Sequence, residues 1–233
     1  MADRALNLRN LPWARFLAEA ALIVGSVYLA IVLEGASSDR SRKVEAIAAL
    51  TNLQAELELD QEDGKEILKL QKDQALSHQQ IQKWLVDAQN IPADLFSDAL
   101  LHTLTDNRTM FPRKASWTTM VAEGQLAVLG DPALIRSLAN LYEHSNVRLE
   151  YNGDRYDDTT QDILRGRMPY AWDLVEDRFL VPDPATIRPF GNQMLQAQRQ
   201  NLGYTELLIS WLEEVGNVNS QVASYLEQNG GEH

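Results

Sequence analysis

The sequence predicts an all-α protein in which an N-terminal transmembrane helix continues into an elongated helical bundle. Residues 16–33 form an apolar run of eighteen residues with one charge, Glu19. No proline occurs between residues 13 and 91, so the helix can extend well beyond this run. After residue 40, apolar residues recur with a helical period, and no stretch alternates long enough to indicate a sheet.

The apolar run has the length of a membrane span, since eighteen helical residues extend about 27 Å. A cleaved signal peptide is an alternative, but its apolar core is normally shorter and Gly35-Ala36-Ser37 is a mediocre cleavage site. A buried core helix is another, although such helices are seldom apolar on every face. We expect an N-terminal tail over 1–15, a transmembrane helix over 16–36 and a helical soluble domain over 37–229. Trp13 and Arg15 are the expected anchors at the membrane interface.

The first helices of the body follow from apolar spacing and from residues that start or stop helices. Leu50, Leu53 and Leu57 share one helix face, and this helix should end near Pro92. A short helix is expected over 93–105. Ser116 is a candidate N-cap for another short helix, which ends at residue 124.

Three more helices are expected in the second half of the chain. Asp131-Pro132 is a strong start signal for a helix of up to thirty-odd residues. Residues 168–180 are interpreted as a short helix with three aromatic side chains. A final long helix is expected from about Phe190 to Glu227.

Charge and composition exclude some classes of function. The net charge is −12, and residues 46–233 hold 15 of the 21 basic and 28 of the 33 acidic residues. A negative body repels the phosphate backbone, so no nucleic-acid partner is expected. The chain has no cysteine, which excludes disulfides, thiolate metal sites and cysteine nucleophiles.

The transmembrane helix carries the strongest candidate contact. Glu19 is a carboxylate within an apolar helix, where such groups often mark a functional site or a partner contact. Alternatively, Glu19 pairs with Arg15 one turn earlier, at the interface. Small residues that allow close helix packing accompany Glu19 in this segment: Ala18, Ala21, Gly25, Ser26 and Ala30.

Catalytic and metal-binding motifs are not evident, so we expect neither an enzyme, a cofactor nor a metal. The four histidines lack metal-ligand spacing, and the acidic groups near residues 60 and 157 are interpreted as solvated helix faces. Nucleophile and nucleotide-binding signatures are missing. Trp117, Tyr142, Tyr170 and Trp172 could line a ligand pocket, although at helical spacing such residues are more often core.

Two segments resemble a family of bacterial proteins classed only as a domain of unknown function. They are EAALIVGSVYLA, at residues 19–30, and ASWTTMVAEGQLAVLGDPALIRSLANLYEH, at residues 115–144. The resemblance implies a single-span, helical, oligomeric membrane protein and carries over no catalytic residue. It also favours a bacterial inner-membrane location with the body in the periplasm, which three basic residues on each side of the span do not decide.

Together these features predict a membrane-anchored, non-enzymatic scaffold or accessory subunit. Its membrane helix would dock into a membrane protein complex or self-associate within the lipid bilayer, and the body would make further protein contacts. The alternative is a membrane-tethered sensor or ligand-binding helical bundle.

Overall fold

The computed structural model describes residues 12–87, 90–106 and 108–230, and within 12–38 it describes side chains only at positions 22, 25 and 26. The expected transmembrane segment 16–36 lies inside the first helix, but nearly all its side chains fall outside this description. Among the described residues, no helix is long and apolar enough to cross a membrane.

Three long helical segments form the body of the protein. Helix α1 runs unbroken from Pro12 to Val86. Helices α5 (Pro132–Asn140) and α6 (Asn146–Ala171) are joined by a π-helical turn, Leu141–Ser145, into one continuous helix. Helix α7, Ile187–Asn229, is antiparallel to α1. Gln82 near the end of α1 contacts Gly191 near the start of α7, whereas the earlier Gly64 lies against the later Trp211. The all-α prediction is confirmed.

Shorter helices pack at the two ends of this bundle. Helix α2, Ala93–Leu104, follows the end of α1, as expected. Helices α3 (Ala115–Ala122) and α4 (Gln125–Leu129) pack against the N-terminal half of the bundle and are separated by Gly124, at φ 68°. Only a residue that tolerates the left-handed region fits there, which is why glycine marks this boundary.

The two predicted helix caps differ in outcome. The Asp131 carboxylate accepts hydrogen bonds from the backbone N–H groups of Ala133 and Leu134, which confirms the N-cap of α5. The prediction that Ser116 is an N-cap is wrong, since α3 begins at Ala115. Glu56 of α1 instead accepts both the Ser116 N–H and its hydroxyl at 3.2 and 2.8 Å, so a carboxylate from another helix serves the first turn of α3.

The predicted short helix over residues 168–180 is wrong. Helix α6 continues through Pro169 to Ala171, and the chain then forms a hairpin of two-residue strands, β1 (Trp172–Asp173) and β2 (Arg178–Phe179). The Asp173 carboxylate accepts the N–H groups of Val175 and Glu176, and this local turn replaces helical hydrogen bonds. Aromatic residues at helical spacing therefore misled the interpretation.

Two apolar clusters lie in succession along the bundle. The inner cluster packs residues 46–57 of α1 against α3, α4, α5 and the C-terminal half of α7. Its buried members include Leu50, Leu53, Leu57, Met120, Leu138, Tyr204, Leu208 and Val215. The tip cluster lies at the C-terminal end of α1 and comprises Ile81, Phe96, Leu100, Leu104, Ile163, Ala171, Phe179, Phe190, Met194 and Ala197.

Candidate functional site

A buried polar layer separates the inner cluster from the tip cluster. Its members are Gln71, Gln74 and His78 of α1, Tyr156 of α6 and Asn201 of α7, and each is fully buried. The three α1 residues follow one another at helical spacing, so one face of α1 changes from apolar to polar and back. Five buried polar side chains at one level need partners, because an unpaired polar group in the interior is costly.

Hydrogen bonds across this layer join the three long helices. The Asn201 side-chain amide donates to the Gln71 side-chain oxygen at 2.7 Å and to the Gln71 carbonyl at 3.2 Å. The Tyr156 hydroxyl donates to the Gln74 side-chain oxygen at 3.3 Å and lies 3.4 Å from the His78 Nε2 atom. These bonds can form in only one axial register of the three helices, so the layer fixes that register.

The same glutamines also hold the loop between α2 and α3. The Gln74 amide donates to the backbone carbonyls of His102 and Asp106, at 3.1 and 2.8 Å. The Gln71 amide donates to the carbonyl of Arg108 at 2.9 Å. The end of α2 and the loop that follows it thus lie over the polar layer, and their backbone supplies the acceptors that the glutamine amides need.

The titratable groups of the layer are neutral at physiological pH. Burial lowers the pKa of His78 to about 4, and burial raises the pKa of Tyr156 well above its usual range. The His78 Nδ1 atom and the Asn201 side-chain oxygen have no hydrogen-bond partner among the described residues. A neutral imidazole and a neutral phenol favour a structural role in registering the helices.

An arginine clamp closes the inner cluster beside the polar layer. The Arg113 guanidinium pairs with the carboxylates of Asp60 and Asp63 at 2.6 and 2.8 Å, and the Arg113 N–H donates to Asp60 at 3.0 Å. The Asp60 side chain is nearly fully buried, and burial raises its pKa in opposition to Arg113. The interpretation of this acidic group as a solvated face is wrong for Asp60. Its spacing from Leu53 and Leu57, on the same helix face, is the signal that was missed.

The π-helical turn positions an aromatic pair in the inner cluster. The rings of Trp117 and Tyr142 stack with centroids 4.9 Å apart and planes 5° from parallel. The Trp117 indole N–H donates to the Glu143 carboxylate at 2.9 Å. Both Tyr142 and Glu143 lie within the π-helical turn, so two successive side chains of this turn contact the same indole.

The four aromatic residues expected to line one pocket lie in two different places. Trp117 and Tyr142 stack in the inner cluster. Trp172 packs against the tip cluster, edge to face with Phe179 at 4.8 Å. Tyr170 is exposed at the rim of a groove near the tip cluster. The structure therefore brings the first two together and does not join them to the others.

The groove beside Tyr170 has a volume of about 590 Å³ and lies between the end of α6, the segment after β2 and the start of α7. Arg167 reaches into it from α6. The Arg167 guanidinium carbon lies 4.2 Å from the ring centroid of Phe190 and 5.9 Å from that of Phe179, and Nη2 donates to the Leu180 carbonyl. Sequence analysis missed Arg167, because nothing in its local spacing marks an arginine that stacks on rings from distant elements.

The predicted membrane contacts fall largely outside the described side chains. This holds for the two interface anchors and for Glu19 with three of its small neighbours: Trp13, Arg15, Ala18, Ala21 and Ala30. Gly25 and Ser26 are described and exposed, and a Cβ atom built on Gly25 would meet nothing within 4 Å. The prediction that this segment contacts a second membrane helix stays a prediction.

The side chains of the other histidines take no part in the hydrogen bonds of the polar layer that the structure describes. His102 is partly buried, and its Nδ1 atom lies 3.9 Å from an Asp106 carboxylate oxygen. His144 is exposed, and His233 lies outside the described residues. Throughout the described part of the chain, no three acidic or histidine side chains come together as a metal site requires.

Comparison with known proteins gives one finding, and it covers most of the chain. Neither a search of curated proteins nor a search of solved structures found a match. The model of a family of unknown function, DUF6090, matches residues 19–170, which include the apolar segment from Glu19 onward, the polar-layer residues of α1 and α6, and the π-helical turn. The chain therefore belongs to the DUF6090 family.

Proposed function

We propose that this protein is a membrane-anchored, non-enzymatic scaffold or accessory subunit that docks through its N-terminal helix and projects a rigid helical body. The observation that carries the proposal is the continuity of α1, which contains the apolar run 16–33 and also supplies buried residues to both clusters. A single helix of 75 residues extends about 110 Å. A contact made by the apolar run is therefore connected to the body without a flexible linker.

The rigidity of the body supports the same role. The polar layer fixes the register of α1, α6 and α7, and the Arg113 clamp ties the loop before α3 to α1. A scaffold presents its surfaces at constant positions, so the fixed arrangement of these helices favours the scaffold function. The location that we propose with it is the bacterial inner membrane, with the body in the periplasm.

Native mass spectrometry of the protein extracted from its own membranes in mild detergent tests this proposal. A bound membrane protein, or a homo-oligomer, is expected. Glu19→Leu should lower recovery of a bound partner, because it removes the carboxylate from the apolar segment, whereas Glu19→Gln keeps the shape and a hydrogen-bonding group. A monomer without any partner, from both native and cross-linked membranes, would contradict the proposal.

Two variants of Gly25 test whether the small-residue face makes the contact. Gly25→Leu adds bulk where close packing of two helices requires a small residue, so it should reduce association. Gly25→Ala keeps a small residue and is the matched control. The body should stay folded in both, because the position has open space around it. Equal association of both variants would exclude this face as the contact.

The second candidate function, a tethered ligand-binding bundle, is favoured by the groove that Arg167 enters at the tip cluster. Binding of a ligand there would raise the melting temperature of the full chain. Ligand binding in the groove and membrane docking can be tested independently, because the two sites lie at opposite ends of α1.

A further inference from the structure

In the part of the chain that the structure describes, the Arg167 side chain is a cation without a counter-ion in a largely apolar setting. Its guanidinium stacks on Phe190, and its Nε atom is buried without a hydrogen-bond partner among the described residues. Among the described lining residues of the groove, Asp183 alone is acidic, and it does not pair with Arg167. Burying a charge that lacks a partner is unfavourable, so a bound anion would stabilise this arrangement.

The charge on Arg167 persists at physiological pH. Burial lowers the pKa of Arg167 to about 10, with no carboxylate to oppose the effect. The group therefore stays protonated near neutrality and cannot avoid the cost by losing its proton. The stacked ring and the Leu180 carbonyl hold the guanidinium in place, so its remaining donors are already oriented.

The shape of the groove indicates the size and chemistry of the anion. Its volume, about 590 Å³, is in the range of small-molecule sites. Tyr170, Leu180 and Phe190 supply apolar walls, while Gln193 and Thr186 add polar groups at the rim. A planar guanidinium binds a carboxylate through two parallel hydrogen bonds. We propose that this groove binds a small organic carboxylate, with the carboxylate on Arg167 and an apolar or aromatic body against Phe190, Leu180 and Tyr170.

This inference does not depend on the membrane anchor, because every residue that carries it lies in the tip of the body. It deepens the second candidate function by naming the class of ligand. Failure of the docking experiments would leave it unchanged, and its own failure would leave membrane docking unchanged.

Titration calorimetry of the full chain in mild detergent, with 4-phenylbutyrate as the probe, tests the proposal. The matched neutral probe is 4-phenylbutyramide, and a detergent blank corrects for partition into micelles. The carboxylate should bind about tenfold more tightly than the amide or better, as expected for a charge-assisted pair. Arg167→Gln should abolish this preference, whereas Arg165→Gln, which removes an exposed charge two residues away, should keep it.

A second pair of variants keeps the proposal falsifiable if Arg167→Gln fails to fold. Gly166 lines the groove, and a Cβ atom built on it would meet nothing within 4 Å. Gly166→Glu would supply a carboxylate from the chain itself, so it should raise the melting temperature and prevent 4-phenylbutyrate from binding. Gly166→Gln, of the same size but neutral, should still bind the probe.

Three results would overturn the proposal. They are equal affinity for the carboxylate and the amide, unchanged binding by Arg167→Gln, and unchanged binding by Gly166→Glu. Each would show that Arg167 does not recognise the anion.

Discussion

The inner cluster and the tip cluster share the same three long helices but differ in how their polar groups are paired. In the inner cluster the aromatic polar atoms largely find partners: the Trp211 indole donates to Asn146 at 2.7 Å and the Tyr225 hydroxyl to the Leu129 carbonyl at 2.6 Å. At the tip cluster, the partly buried Arg167 guanidinium stacks on Phe190 and pairs with no carboxylate among the described residues. The hairpin nearby exposes the apolar side chains of Leu174 and Val175. The difference indicates that the inner cluster maintains the fold, and it is the reason that we propose binding at the tip.

The largest expected effect comes from removing one leucine from each cluster. Leu53→Ala and Leu100→Ala each delete a fully buried side chain and should each lower the free energy of unfolding by about 3 kcal/mol. The two should differ in amide hydrogen exchange, because the polar layer separates the clusters. Leu53→Ala should raise exchange throughout the bundle, and Leu100→Ala mainly in residues 81–104 and 163–197. Identical exchange patterns would remove the distinction between the clusters.

The polar layer itself should make stability depend on pH. The folded pKa of His78, about 4, lies below its unfolded value of 6.5, so the unfolded state binds the proton first as the pH falls. The His78 contribution is complete above pH 6.5 and is lost as the pH falls toward 4. The loss should reach about 2 kcal/mol near pH 5 relative to pH 8.

Denaturant unfolding at the two pH values, compared between variants, measures this loss. His78→Gln should flatten the dependence, since its side chain does not titrate. His144→Gln replaces an exposed histidine and should behave as the wild type. If His78→Gln retains the full pH dependence, protonation of the layer is not its cause.

A smaller effect is expected where α1 crosses α7. A Cβ atom on Gly64 would lie 2.8 Å from a ring carbon of Trp211 and 2.9 Å from a methyl group of Leu212, so Gly64→Ala should cost about 1–2 kcal/mol despite the higher helix propensity of alanine. Gly203→Ala meets open space and should stabilise by about 0.5–1 kcal/mol. Thermal unfolding of both variants gives the comparison. Stabilisation by Gly64→Ala would mean that the two helices are not closely packed there.

The smallest expected effect compares helix starts near the two clusters. Asp131 caps α5 at the inner cluster, so Asp131→Ala should cost about 1 kcal/mol, with Asp131→Asn as the control that preserves a cap. Thr186 precedes α7 near the tip and makes no side-chain cap bond, so Thr186→Ala should change stability by less than about 0.5 kcal/mol. Chemical denaturation distinguishes these values. A larger loss at Thr186 would reverse the expected order.

The sequence was sufficient to predict the long helices and α2, because apolar periodicity and the Asp131-Pro132 start signal are local features. It failed at residues 168–180, where a turn centred on Asp173 outweighs the helical spacing of the aromatic residues. It also failed at Asp60 and Arg167, because the partners of Asp60 and the rings around Arg167 come from distant elements. The polar layer was missed for the same reason. Gln71, Gln74 and His78 are ordinary surface residues until α6 and α7 cover them.

The unbroken course of α1 has a consequence for the orientation of the whole body. Each residue of a helix advances about 100° around its axis, so the number of residues between the apolar run and the bundle sets the direction in which the groove faces. One residue inserted near position 39 would turn the body by about 100°, and two would point it almost the opposite way. Seven residues would nearly restore the original facing while moving the body outward by about 10 Å. For a partner that contacts both ends of this protein, a change in the length of α1 would therefore change the angle between the two contact surfaces.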